Sequence, residues 1–120
     1  MLENYSINNF EKEFDIGLKA ALICTKIFGK NIIENKGGSI INVSSDLGII
    51  APNHYIYNRG KKINKAKPVS YSIIKTALIG LTRYTSSYWA QKKIRCNAIA
   101  PSGVFNNQDA KFIKKLNTLN

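Results

Sequence analysis

The chain has 120 residues, enough for one domain, and 44% are hydrophobic, which supports a packed core and argues against disorder. Two cysteines without CxxC or Cys/His spacing, and a single histidine, argue against a zinc centre and a secreted disulfide framework, so no metal is expected. The formal charge of +11 is high for this length and raises the question of an anionic partner.

Asn8-Asn9-Phe10-Glu11 reads as a helix start, an Asn cap with Glu three positions on. Phe10, Phe14, Leu18, Leu22, Ile23, Phe28 and Ile32 follow at helical spacing, so one helix is expected from about Asn9 to Glu34, stopping at Gly37-Gly38. Gly17 in its middle costs about 1 kcal/mol against alanine. It either permits a close approach or is simply tolerated. Ser39-Ile40-Ile41-Asn42-Val43 is short, apolar and β-branched, as expected of a parallel strand buried on both faces. It ends in Ser44-Ser45-Asp46, at the strand end where open α/β sheets bind ligands.

A connection over residues 47–68 holds Pro52, His54, Tyr55, Tyr57 and the run Arg59-Gly60-Lys61-Lys62 with Lys65 and Lys67. It is long for a link in a compact domain and reads as an inserted functional loop or lid, or as a solvated insertion. Val69-Ser70-Tyr71 opens a second helix that continues to about Gln91 and is apolar around most of its circumference. Ile94 to Ala100 is a second strand, closed by Pro101-Ser102-Gly103, and Asp109 to Leu119 is a short basic amphipathic helix. The order helix, strand, helix, strand, helix makes a right-handed βαβ unit, so the fold class is α/β, part of a doubly wound parallel sheet.

The remaining bases, Lys92-Lys93 with Arg95 and Lys111, Lys114 and Lys115, are scattered over loops and ends without a nucleic-acid motif. Solvated faces are the favoured reading, nucleic acid is not an expected partner, and an acidic small substrate is a third reading. No apolar run approaches the roughly 20 residues that cross a membrane, and the first residues lack a signal-peptide pattern. A cytoplasmic protein with reduced thiols is expected.

Tyr71 and Lys75 lie four apart on one helical face. An ammonium beside a phenol favours the phenolate and pulls the phenol down from about 10, so such a tyrosine can trade protons nearer neutrality. The βαβ topology puts the Ser44-Ser45 strand end on the same side as this helix start. Serine, tyrosine and lysine together suit carbonyl/alcohol redox chemistry, with the hydride supplied by a cofactor.

The ordered set Gly38-Ser39-Ile40-Ile41-Asn42-Val43-Ser44-Ser45, Tyr71-x-x-x-Lys75, Gly80-Leu81-Thr82 and Ile94-Arg95-Cys96-Asn97-Ala98-Ile99-Ala100-Pro101-x-Gly103 resembles the classical short-chain dehydrogenases/reductases from about Phe10 onward. The resemblance implies a Rossmann-type fold and NAD or NADP as cofactor. It makes Ser45 the catalytic serine, with Ser44 one register step away, and Tyr71 the acid/base. Lys75 tunes Tyr71 and, with it, meets the nicotinamide ribose. Pro101, Ser102, Gly103 and Val104 fall in the loop over the nicotinamide, Ser102 standing where the family has glycine. The two long helices correspond to those with which members form dimers and tetramers. Asp46, Lys67-Pro68-Val69, the basic insertion and Gly103-Val104-Phe105-Asn106-Asn107-Gln108 resemble the branch tied to flagellin modification and acidic-sugar biosynthesis, which implies a sugar or nucleotide-sugar substrate.

Three departures qualify the resemblance. The family's helix-borne asparagine aligns with Gly17, no Gly-rich cofactor fingerprint or Asn-Asn-Ala-Gly occurs, and members run to about twice this length. Residues 1–120 therefore read as the C-terminal half of one NAD(P)-binding domain. The alternative is a truncated, inactive fragment acting at most as an oligomerisation or interaction module.

Overall fold

The computed structural model describes residues 2–57 and 66–118; Arg59, Lys61, Lys62 and Lys65 of the basic run lie outside them. The element order is α1 (Ile7–Phe14), a π-helical stretch (Asp15–Lys19), α2 (Ala20–Glu34), β1 (Gly38–Val43), α3 (Val69–Tyr88), β2 (Ile94–Ile99) and α4 (Ala110–Asn117). Short 3-10 turns occupy Leu2–Asn4, Asp46–Gly48, His54–Tyr57 and Ala90–Lys92. The strands pair in parallel, from Gly38 opposite Ile94 to Val43 opposite Ile99. They form a two-stranded sheet among the described residues, as the βαβ order requires.

The first helix departs from expectation at two points. It starts at Ile7 rather than Asn9, because the Ser6 hydroxyl accepts from the Asn9 amide at 3.4 Å and so caps the first turn. Its hydrogen-bond ladder also widens over Asp15–Lys19, where the Ala20 amide reaches back to the Asp15 carbonyl. Gly17 lies in that stretch, and a Cβ there would sit 2.7 Å from Ile74 Cγ2. Close approach to α3 is therefore the reading of Gly17 that holds. Further along the same helix, a Cβ on Gly29 would overlap the Trp89 ring. The two long helices thus run side by side, meeting where one lacks a side chain.

These helices lie against one face of the sheet. Ile94, Cys96, Ile74 and Leu78 form its buried apolar core. Asn42 is buried among them and donates to Thr82 Oγ1 at 2.8 Å, while the Thr82 hydroxyl donates to the Leu78 carbonyl at 2.8 Å. This pairing satisfies a strand amide that would otherwise be orphaned at about 1–3 kcal/mol. The opposite face corrects the expectation of a strand buried on both sides: Ile41, Val43 and Ile99 are 60%, 54% and 49% exposed. These three share that face with Ser39, Arg95 and Asn97, and among the described residues helices cover only the other face. The radius of gyration, 17.4 Å, exceeds the about 14 Å of a compact domain of this length.

The other boundaries fall close to expectation. Asp109 caps α4 by accepting from the Lys111 and Phe112 amides at 2.9 and 3.3 Å. α3 ends at Tyr88, three residues before the expected Gln91, and Lys93 takes a left-handed conformation (φ 59°) that turns the chain into β2.

Gly80 has open space where a Cβ would go, unlike Gly17. Gly80→Ala should raise stability by about 0.5–1 kcal/mol through helix propensity. Gly17→Ala should lower it, because Ile74 must move. Urea unfolding of the two variants checks the opposite signs.

Candidate active site

β1 delivers Ser44 and Ser45 to the start of α3, and the two serines do different things. The Ser44 hydroxyl donates to the Lys75 carbonyl at 2.7 Å. The Ser45 hydroxyl donates to Asp46 Oδ1 at 2.8 Å and accepts from the Leu47 amide at 3.3 Å, capping the 3-10 turn that follows. Both are buried. Ser44 is committed to a helix backbone, whereas the polar partners of Ser45 are local. Gly48 closes the turn against α3, where a Cβ would meet the Lys75 carbonyl carbon and Ser44 Oγ at 2.8 Å. Thr76 donates to the Gly48 carbonyl at 2.9 Å and seals the same seam.

Lys75 reaches from α3 to the strand end, its ammonium donating to the Val43 carbonyl at 2.8 Å. It lies 5.7 Å from the centre of the Tyr71 ring, whereas Lys67 lies over the same ring at 4.2 Å. Tyr71 is therefore flanked by two ammonium groups. Lys75 is the one expected from helical spacing. Lys67 sits four positions before the tyrosine and outside the helix, so helical spacing could not place it.

Two further groups adjoin the site. Burial pushes the Tyr57 phenol up from its ordinary value of 10.0, assisted by Asp46 and Tyr71. Tyr57 also packs on Phe112 of α4 with ring centres 5.7 Å apart, which brings α4 against the His54–Tyr57 turn. Beneath the site, burial likewise raises the Cys96 thiol, against a smaller lowering from the Thr82 hydrogen bond. The sequence flagged neither Tyr57 nor Asp46 as a site residue. The signal for Asp46 was its position directly after the serines.

Pro101 joins this cluster through its carbonyl, which accepts from the Asp46 amide at 3.1 Å. Ser102, Gly103 and Val104 continue as an exposed ledge beyond β2. Gly103 backs onto Leu116, and the Val104 carbonyl accepts from the Gln108 side chain at 2.7 Å. The structure thus gathers Ser44, Ser45, Asp46, Pro101, Tyr71 and Lys75 around the C-terminal ends of both strands, while Ser102 and Val104 face solvent. No group of three or more metal-binding side chains occurs among the described residues. No described helix is long and apolar enough to cross a membrane.

Tyr57 has a consequence for alkaline stability. A phenol held neutral in the fold supports stability fully below its unfolded value of 10.0, and that support is lost as pH rises above it. Tyr57→Phe should flatten the decline of stability above pH 10, measured by urea midpoints across the alkaline range.

The family model described as enoyl-(acyl carrier protein) reductase matches residues 1–119. Galactitol 2-dehydrogenase of Rhizobium johnstonii is 33% identical over 89 residues, covering 73% of this chain and 30% of the relative. The 3-oxoacyl-[acyl-carrier-protein] reductase of Rickettsia felis is 33% identical over 107 residues, covering 89% of this chain and 39% of the relative. A short-chain dehydrogenase from Leptospira borgpetersenii, solved with bound NAD+, superposes with a TM-score of 0.80 at 28% identity, over 93% of this chain and 41% of that one. The chain therefore spans well under half the length of these relatives. With a match over almost its entire length and a parallel strand end joined to a Tyr-x-x-x-Lys helix, the chain belongs to the short-chain dehydrogenase/reductase family.

Proposed function

We propose that this chain carries the proton-transfer half of an NAD(P)-dependent oxidoreductase that interconverts a carbonyl and an alcohol on a small molecule. The observation that carries the reading is the tie from the Lys75 ammonium to the end of β1, one turn from Tyr71. In this role the Ser45 hydroxyl turns from Asp46 to the substrate oxygen. On reduction, a hydride adds to the carbonyl carbon and the Tyr71 hydroxyl gives its proton to the carbonyl oxygen; on oxidation both transfers reverse. Lys75 stabilises the phenolate left behind. The nicotinamide supplies or accepts the hydride when bound.

The residues suit such a cofactor. An ammonium has three donors, and Val43 takes one, so the donor set of Lys75 matches the vicinal hydroxyls of a ribose. Pro101, Ser102, Gly103 and Val104 form the open ledge expected beside a nicotinamide. The substrate class is supported by relatives named for a polyol and for a 3-oxoacyl group, an alcohol and a ketone. A sugar or nucleotide-sugar is the reading favoured by the basic insertion, whose charge would meet an anionic group. A cytoplasmic location and assembly through the two long helices belong to the same proposal.

The second reading, an inactive fragment or interaction module, is favoured by the bare sheet face at Ile41, Val43 and Ile99. A face of that kind exposes apolar area that a folded α/β domain covers.

In a polypeptide that joins these residues to a dinucleotide-binding half, Tyr71→Phe should abolish turnover of a carbonyl panel with NADH or NADPH while leaving cofactor affinity within about threefold, under 1 kcal/mol. Undiminished turnover would remove Tyr71 from the mechanism.

A further inference from the structure

Ser70, directly before Tyr71, is fully buried at 0% exposure. Its hydroxyl donates to Glu13 Oε2 and lies 2.8 Å from Tyr5 Oη. Tyr5 also donates to Glu13 Oε2, at 2.8 Å. The three oxygens form a closed ring that joins the segment before α1, the last turn of α1 and the first turn of α3. Two hydroxyl protons serve three edges. Either both hydroxyls donate to the carboxylate, or one donates to the other, which in turn donates to Glu13.

The ring sits where α3 needs it. The first four amides of a helix have no intrahelical acceptor. The N-cap position of α3 is Pro68, and no side chain caps the helix. The hydrogen bonds from Ser70 and then Tyr5 hold the Glu13 carboxyl below its ordinary range, against a smaller effect of burial, so it is ionised at neutral pH. An anion is thereby held at the positive end of the α3 dipole. One turn further along both helices, Gly17 meets Ile74 at the same spacing in sequence as Glu13 and Ser70. The two contacts together fix the angle and register at which α3 begins.

We propose that Glu13 is a positioning residue for Tyr71: with Tyr5, and through the Ser70 hydroxyl, it ties down the first turn of α3, the turn that presents the phenol. The role rests on the reading of Tyr71 as the acid/base. Glu13 touches neither substrate nor cofactor and works only by fixing the helix start.

Amide hydrogen exchange on the full chain tests this, comparing Ile73, Ile74 and Lys75 with Leu81 to Thr85 farther along α3. Glu13→Ala should speed exchange at the first group by about fivefold, the size of a lost N-cap, and leave the second group unchanged. Glu13→Gln, which keeps an acceptor oxygen, should restore most of the protection, whereas Glu13→Met, which fills similar space without that acceptor, should not. Equal acceleration in both groups, no acceleration, or a Gln variant no better than Ala would each overturn the proposal. If Glu13→Ala does not fold, Tyr5→Phe carries the same comparison, with about a twofold effect confined to the helix start expected for one lost hydrogen bond and a uniform or absent effect contrary. Undiminished turnover by Tyr71→Phe would sink the catalytic reading without touching the exchange result, so the two can fail separately.

Discussion

Lys75 is bonded to the end of β1 from both of its ends. Its ammonium donates to the Val43 carbonyl, and its own carbonyl accepts from the Ser44 hydroxyl. Neither bond is exceptional alone, each contributing on the order of 1 kcal/mol or somewhat more for the charged donor. Together they stop α3 from sliding along or rolling on the strand. Tyr71, one turn earlier, is then held beside that end, and Gly48 and Thr76 close the seam. The same lysine thus serves the architecture through its backbone and the site through its side chain. The bond from its ammonium to Val43 limits the rotamers open to the side chain, a positioning that the proposed role requires.

The second constraint is the side-by-side run of the two long helices. Gly17 and Gly29 let Ile74 and Trp89 lie directly on the first helix. The π-helical stretch at Asp15–Lys19 realigns that helix where the contact begins. Helix, strand end and turn are in this way packed on one face of the sheet. The other face leaves Ile41, Val43 and Ile99 about half exposed among the described residues. The part of the fold that positions Tyr71 and Lys75 is therefore internally supported, while the sheet beneath it is covered on a single side.

Much of this could be read in the sequence. A short β-branched apolar run, period-3.6 apolar patterns, the Gly-Gly stop, and Pro101 after the second strand carry the βαβ unit within a few residues. The βαβ handedness then brings Ser45, Tyr71 and Lys75 to one end of the sheet. What the sequence hid is what depends on side chains far apart along it. The Glu13–Ser70 contact spans 57 positions, and no local pattern announces it. Lys67 over Tyr71 depends on the path of the loop. The capping role of Ser6 was masked by a competing Asn-x-x-Glu pattern two residues on. The division of labour between Ser44 and Ser45 follows from the alternation of a strand, yet only the contact with the Lys75 carbonyl tells which of them the helix uses. A strand with apolar residues on both of its faces, finally, states that both tolerate burial and not that both are covered.

In the proposed function the residues around the strand ends would supply hydrogen bonding, proton transfer and a site for a ribose, whereas the glycine-rich turn with which Rossmann folds hold a pyrophosphate does not occur within these 120 residues. The proposed function accordingly assigns proton transfer to these residues and the main cofactor cradle to a dinucleotide-binding half outside them. The most direct measurement is a titration of the 120-residue chain with NADH and with NADPH, followed by nucleotide fluorescence. No saturable binding is expected; a dissociation constant of about 1–100 μM for either nucleotide would contradict the separation of the proton-transfer half from the cofactor's principal binding half.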